Sequence, residues 1–262
     1  MFTMANDEVA VERDGQVAWI VLNRPEKRNA QGVTFTASLL SALDRVERDP
    51  DVSVAILTGA GPVFGGGGDL KEIMNVEQSD PEWEFELIRG YNTLISRLYY
   101  FERPIIAAVN GPAIGGGACL AMACDFALAS EHGAYHFAFG RIGLSGADMG
   151  APYLLQRHVG AARANHLMFT GAQIDARRGV ELGLFVAAVP ADRLREEAMS
   201  IARSIAAQSR RATTITKMAL RRSPEAGLAA SLEYEAYLQS FAFRSEGHKQ
   251  RLAAFLAPRG KN

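Results

Sequence analysis

The spacing of apolar positions changes along this chain, and the changes outline its elements. Val17-Ala-Trp-Ile-Val-Leu22 is an unbroken β-branched and aromatic run closed by Asn23-Arg-Pro25, which predicts a buried strand. The same signal recurs at Val52–Thr58 and Ile105–Val109. Between them, apolar residues at 33, 35, 39, 40, 43 and 46 form the stripe of an amphipathic helix over Val33–Val46. Trp83–Phe101 repeats that spacing, with Pro81 before it and Pro104 after it. Strands alternating with helices need crossover connections, so the fold class is α/β with a largely parallel sheet.

From about Ala191 the strand signal stops, and four helices follow: Asp192–Ala207, Arg211–Arg222, Pro224–Phe243 and Glu246–Leu256. The chain thus divides into an α/β core, residues 1–190, and a helical region, residues 191–262. The apolar set Leu232, Tyr234, Tyr237, Leu238 and Phe241 has two readings, packing on the core or a subunit interface.

With 262 residues, 48% hydrophobic and 22% charged, the composition is that of a well-cored globular protein. A chain of this size buries roughly 70–75% of its unfolded surface and needs no disulfide or structural metal. The net charge of −1 supplies no global field for nucleic acid or an anionic membrane, so an anionic ligand must be held by local groups. Cys119 and Cys124 lack the spacing of a zinc site, and the five histidines form no metal grouping. These features fit a reducing cytoplasm and no metal. Neither an apolar leader nor a run of 18 apolar residues is present, so no membrane partner is expected.

Two glycine clusters, Gly59–Leu70 and Asn110–Ala118, each follow a predicted strand. Four glycines at 65–68 and three at 115–117 remove side chains from the backbone, so a ligand can approach its N–H groups. The second cluster opens a buried-looking helix, Ala118–Ala123, whose N-terminal N–H groups favour an anion or a developing oxyanion. The competing reading is tight turns and close packing. Phosphate-loop and dinucleotide spacings are absent, and Gly143-Leu-Ser145-Gly146 falls one residue short of a nucleophile elbow.

These residues resemble the crotonase, or enoyl-CoA hydratase/isomerase, superfamily over nearly the whole chain. Asn23-Arg-Pro-Glu-Lys-Arg-Asn-Ala30 is similar to its first CoA-contacting segment, and Phe64-Gly-Gly-Gly-Gly-Asp-Leu70 to its F-x-A-G-A-D-L loop. Asn110-Gly-Pro-Ala-Ile-Gly-Gly-Gly through Cys124-Asp125 resembles N-G-x-A-x-G-G-G…C-D, and the stretch from Gly143 to Gly160 resembles G-L-x-P-x-D-x-G…L-P-R-x-V-G. The resemblance implies a crotonase-like spiral of β-β-α units and a C-terminal helical region that makes a homotrimer, commonly a hexamer of two trimers. It also implies an acyl-CoA substrate, whose CoA is part of the substrate with no separate cofactor. By motif position the oxyanion-hole amides belong to Gly68 and Gly116. The carried-over CoA contacts are Lys27, Arg28, Ala30, Gly66, Asp69 and Leu70, with Phe255 from the tail Ala253–Arg259. Lys27 and Arg28 are phosphate partners or, on the plainer reading, a solvated turn.

Hydration in that family uses two glutamates, and motif position puts them at Cys119 and Phe139. Phe139 transfers no proton, and a thiol in an apolar setting stays protonated. Asp148 is then the candidate general base or nucleophile, against a plainer role as an N-cap or loop-fixing carboxylate before a helix over Met149–Gln156. Arg141 is positioned to pair with Asp148 or to orient substrate, and Glu72, Glu131 and His132 read as solvated surface. The expectation is an acyl-CoA enzyme. The alternatives are a non-catalytic acyl-CoA-binding subunit and, less favoured, a hydrolase using Ser145 or Cys119.

Overall fold

The computed structural model describes residues 8–74 and 81–257. Its strands are β1 (Val9–Asp14), β2 (Val17–Leu22), β3 (Val54–Gly59), β4 (Ile105–Val109), β5 (Pro112–Ile114), β6 (Phe126–Ser130), β7 (Ala134–His136), β8 (Gln173–Asp175) and β9 (Ala187–Val189). The α-helices are α1 (Val33–Arg48), α2 (Leu70–Met74), α3 (Pro81–Tyr99), α4 (Gly116–Ala123), α5 (Ala151–Val159), α6 (Ala161–Thr170), α7 (Ala176–Leu182), α8 (Leu194–Ala206), α9 (Arg210–Arg222), α10 (Leu228–Phe243) and α11 (Glu246–Leu256).

The three strands visible in the sequence are β2, β3 and β4, the centre of a six-stranded sheet ordered β1-β2-β3-β4-β6-β9. Only the β1–β2 pair is antiparallel; the rest of that sheet is parallel. Their runs are continuously apolar because both sheet faces are covered. Val17, Trp19, Val54, Ile56, Ile106 and Ala108 pack under Leu194, Ala198, Met199 and Ala202 of α8. The alternate residues, among them Ile20, Leu22, Leu57 and Val109, face the main core with α1, α3 and α4. The six other strands carry little β-branched signal, and three of them, β5, β7 and β8, form a small second sheet.

Most helix boundaries fall within about two residues of the sequence expectation, and two helix starts change the reading. The helix expected at Met149–Gln156 starts at Ala151, because Met149 (φ +44°) and Gly150 (φ +69°) both adopt left-handed backbone. Asp148 is therefore no side-chain N-cap; only its backbone carbonyl accepts the Ala151 N–H, at 2.8 Å. The helix expected from Pro224 starts at Leu228, after a 3-10 turn at Ser223–Glu225.

Helix α9 is tied to the core by charge. Lys217 Nζ donates to Asp125 Oδ2 and to the Arg103 carbonyl, both at 2.9 Å, and Arg221 donates to Asp125 Oδ1 at 2.9 Å. On α10, Leu238 is buried, whereas Leu228, Leu232 and Tyr237 are exposed within the single chain. Among the described residues no helix is long and apolar enough to cross a membrane.

Candidate active site

The two glycine runs meet. Gly65 pairs with Ala113 in an isolated parallel bridge, and a Cβ on Gly117 would stand 2.2 Å from the Gly65 carbonyl oxygen, so no side chain fits between the loops. Gly115, at φ +50°, turns the chain from β5 into α4 while its N–H donates to the His136 carbonyl at 2.8 Å. The second sheet thus holds the α4 N-terminus against the first loop.

The hydrogen-bond pattern leaves two amides over. Gln31 N–H donates to the Gly67 carbonyl (2.7 Å) and Asp69 N–H to the Gln31 carbonyl (3.0 Å), so the parallel ladder brackets Gly68 and turns its own N–H away. Gly116 is the first residue of α4, a wholly buried helix with no side-chain cap. Among the described residues neither N–H has an acceptor. Gly66, Gly68 and Gly116 line one cavity of about 520 Å³ together with Leu70, Phe139 and Asp148. Its remaining wall is mostly apolar, with Leu87 and Ile88 of α3 and with Ile114, Leu144 and Met149.

Asp148 is half-buried on this wall, and its Oδ1 is shielded from solvent with no hydrogen-bond partner. Burial raises its carboxyl above the ordinary range; a backbone hydrogen bond at Met149 opposes this only partly. Of the two readings of Arg141, pairing with Asp148 does not form: Arg141 lies on the same cavity but points a guanidinium N–H at the Gly171 carbonyl, at 3.4 Å. Cys119 sits inside α4, fully buried, and burial followed by the field of Asp148 pushes its thiol far up. It is inert, whereas Phe139 lines the cavity as a hydrophobic wall. Ser145 is exposed, and its hydroxyl is occupied by the Ala147 N–H (3.0 Å).

The first segment is docked on the glycine loop. Arg28, left-handed at φ +55° and exposed, receives the Gly66 N–H on its carbonyl at 2.9 Å; Ala30 receives Arg24 Nη1 at 3.0 Å. Lys27 is half-exposed and lies 3.6 Å from Asp69 and 3.8 Å from Glu72, so its charge is shared with the loop. Burial opposes ionisation of Asp69, but backbone donors at Glu72 and Lys71 and the charges of Lys27 and Arg24 outweigh it and hold the carboxyl low. Asp69 therefore fastens the loop. Glu72 is not simply solvated surface: its Oε2 accepts the Val33 N–H at 2.8 Å and caps α1 from outside. Phe255 is not brought to the cavity within the chain, since α11 leaves it 77% exposed; Pro258 and Arg259 lie outside the described residues.

Sequence reasoning missed two residues here. Gln31, buried, lines the cavity, and Tyr91 on α3 donates its hydroxyl to the Gln31 carbonyl at 3.1 Å. Burial, then the fields of Asp148, Glu72 and Asp69, push the Tyr91 phenol up to about 12, so it stays a neutral donor. A larger groove of about 700 Å³ runs beside α9, but its Lys217 and Arg221 are already paired with Asp125. Among the described residues no cluster of His, Cys, Asp or Glu could hold a metal ion.

A fold of this kind, with two glycine loops converging on an apolar cavity, defines a crotonase-class protein. The enoyl-CoA hydratase/isomerase family model matches residues 12–261, and the chain belongs to that family of enzymes. It is 36% identical over 256 residues to a probable enoyl-CoA hydratase of Rhizobium meliloti, covering 98% of this chain and 97% of that one. It is 35% identical over 245 residues to the 1,2-epoxyphenylacetyl-CoA isomerase of Escherichia coli, covering 93% of each. The crystal structure of an enoyl-CoA hydratase from Bacillus anthracis superposes with a TM-score of 0.90 at 29% identity, over 95% of both chains.

The family motif carries alanine where Gly68 stands, and Gly68 is not left-handed. Gly68→Ala is therefore expected to raise stability by about 0.4–1 kcal/mol by restricting the unfolded chain, and to leave turnover within a few-fold because the N–H is kept. Urea denaturation and steady-state rates measure both.

Proposed function

We propose that this chain is an acyl-CoA enzyme that moves a proton on its substrate through a thioester enolate, with Gly68 and Gly116 N–H groups holding the thioester oxygen and Asp148 as acid and base. The observation that carries this reading is the shared cavity: two amides with no acceptor among the described residues and one largely desolvated carboxylate, whose Oδ1 has no hydrogen-bond partner, border the same apolar space. The two curated relatives are both named for CoA thioesters, which supports the substrate class.

Removing a proton beside a thioester places an electron pair on the carbonyl oxygen. Two aimed amides, one at a helix N-terminus, stabilise that charge without reorganising water. Asp148 takes the proton from one carbon, and its raised affinity for protons lets it hold the proton and return it to another carbon. Nothing is added or lost, so a single carboxylate suffices for isomerisation. Cys119 and Phe139 offer no proton-transfer group at the positions of the two hydration glutamates, which favours isomerisation over water addition. Assembly into a trimer, or a dimer of trimers, is proposed on the exposed apolar side chains of α10 and α11, and sedimentation measures it.

The test compares crotonyl-CoA with 3-enoyl-, dienoyl- and aryl-thioesters in deuterated buffer. Double-bond migration with solvent deuterium at carbon is the expected result, with hydration of crotonyl-CoA slower. No turnover of any thioester, by protein that binds CoA, overturns the catalytic reading in favour of a non-catalytic binding subunit.

A further inference from the structure

Gln31 is a buried polar group on this cavity that the proposed chemistry leaves unused. Its backbone is fixed by the bonds that bracket Gly68 and by the Tyr91 hydroxyl. Its side chain is 1% exposed, yet neither Oε1 nor Nε2 has a hydrogen-bond partner. The carboxamide lies over Gly116: Oε1 is 2.5 Å, and the Met149 Sδ 2.6 Å, from the place where a Gly116 Cβ would stand. A buried polar group left unpaired destabilises the fold, and the backbone role of residue 31 needs no amide. An apolar side chain of the same size would avoid that cost.

We infer that Gln31 reads a hydroxyl on the acyl group, on the carbon next to the thioester carbonyl, with Nε2 donating to it and Oε1 accepting from it. The inference rests on the acyl-CoA reading above. A carbonyl oxygen would satisfy the donor alone, whereas a hydroxyl satisfies both halves of the amide. The carboxamide abuts the residue whose N–H is assigned to the thioester oxygen, so the group it meets is attached one bond from the carbonyl carbon. Met149, unbranched and pliable, is the side chain that moves aside to admit it. A site that hydrogen-bonds a substrate hydroxyl also discriminates strongly against the analogue lacking it, since its own polar atoms are then left bare.

Calorimetric titration of the wild-type protein with butyryl-CoA and with each enantiomer of 2-hydroxybutyryl-CoA tests this. One enantiomer is expected to bind about 10-fold tighter than butyryl-CoA or better. In Gln31→Met that ratio falls to about one, while butyryl-CoA binds at least as well. Both enantiomers within about threefold of butyryl-CoA in the wild type overturn the inference without recourse to any variant, as does a ratio that survives Gln31→Met. Absence of discrimination in the wild type while butyryl-CoA still binds counts against this inference alone; no binding of any thioester overturns the acyl-CoA reading together with it.

Discussion

Asp148→Asn lowers kcat/KM by about 10²–10⁴-fold on whichever thioester the wild type turns over, because the amide keeps the shape of the carboxylate and cannot take a proton. CoA binding is retained. The wild-type rate falls on the acid side with a pKa above the ordinary carboxylate range, since burial favours the neutral acid and the base must be ionised. Stability moves the other way. A carboxyl whose folded pKa is raised contributes stability below its unfolded pKa of about 3.9 and loses it as pH rises through the folded value. At pH 7 the wild type therefore bears the cost of an ionised, poorly solvated Asp148, and Asp148→Asn has the higher Tm; the gap closes below about pH 4. Thermal melts across pH measure this. A variant with wild-type rates, or a lower Tm at pH 7, would remove Asp148 from the mechanism.

The second large effect is expected at Gly116. Proline is accepted at the first position of a helix because the N–H there has no partner in the helix, so Gly116→Pro deletes the proposed oxyanion donor at small cost to α4 itself. Gly116→Ala introduces the same Cβ, against the tips of Gln31 and Met149, and keeps the N–H. The alanine variant reports the steric cost of that Cβ. Relative to it, the proline variant is expected to lose about 10²–10³ in kcat, the effect of removing one oxyanion-hole donor. Circular dichroism checks that both are folded, and equal rates would exclude the Gly116 amide from the chemistry.

Much of the core was legible because burial on both sheet faces writes itself into composition: β2 and β4 have the bounds their apolar runs predict. The short strands β5, β7 and β8 were not, since three residues show no period. For the site, the glycine runs and Asp148 were legible as ordered motifs. The role of Asp148 as a cap was misjudged because left-handed backbone at Met149 delays the helix, and such a conformation at a non-glycine residue leaves no mark in composition. The intramolecular partners of Asp69 and Glu72 were not legible, since Arg24, Lys27 and Val33 lie about forty residues earlier and are brought near by folding, with the bridge at Gln31 between them.

Local chemistry alone was enough to predict an α/β chain with side-chain-free backbone in two glycine runs, and the motif resemblance added Asp148 as the candidate acid. Side-chain identity and short-range spacing are properties of the string. Whether the two amides converge, whether Asp148 Oδ1 is shielded and without a partner, and what Gln31 faces depend on contacts between segments some 40 to 120 residues apart. Those contacts follow from the packing of two sheets against each other, where the free energy of burial is shared among many residues and no single position records it.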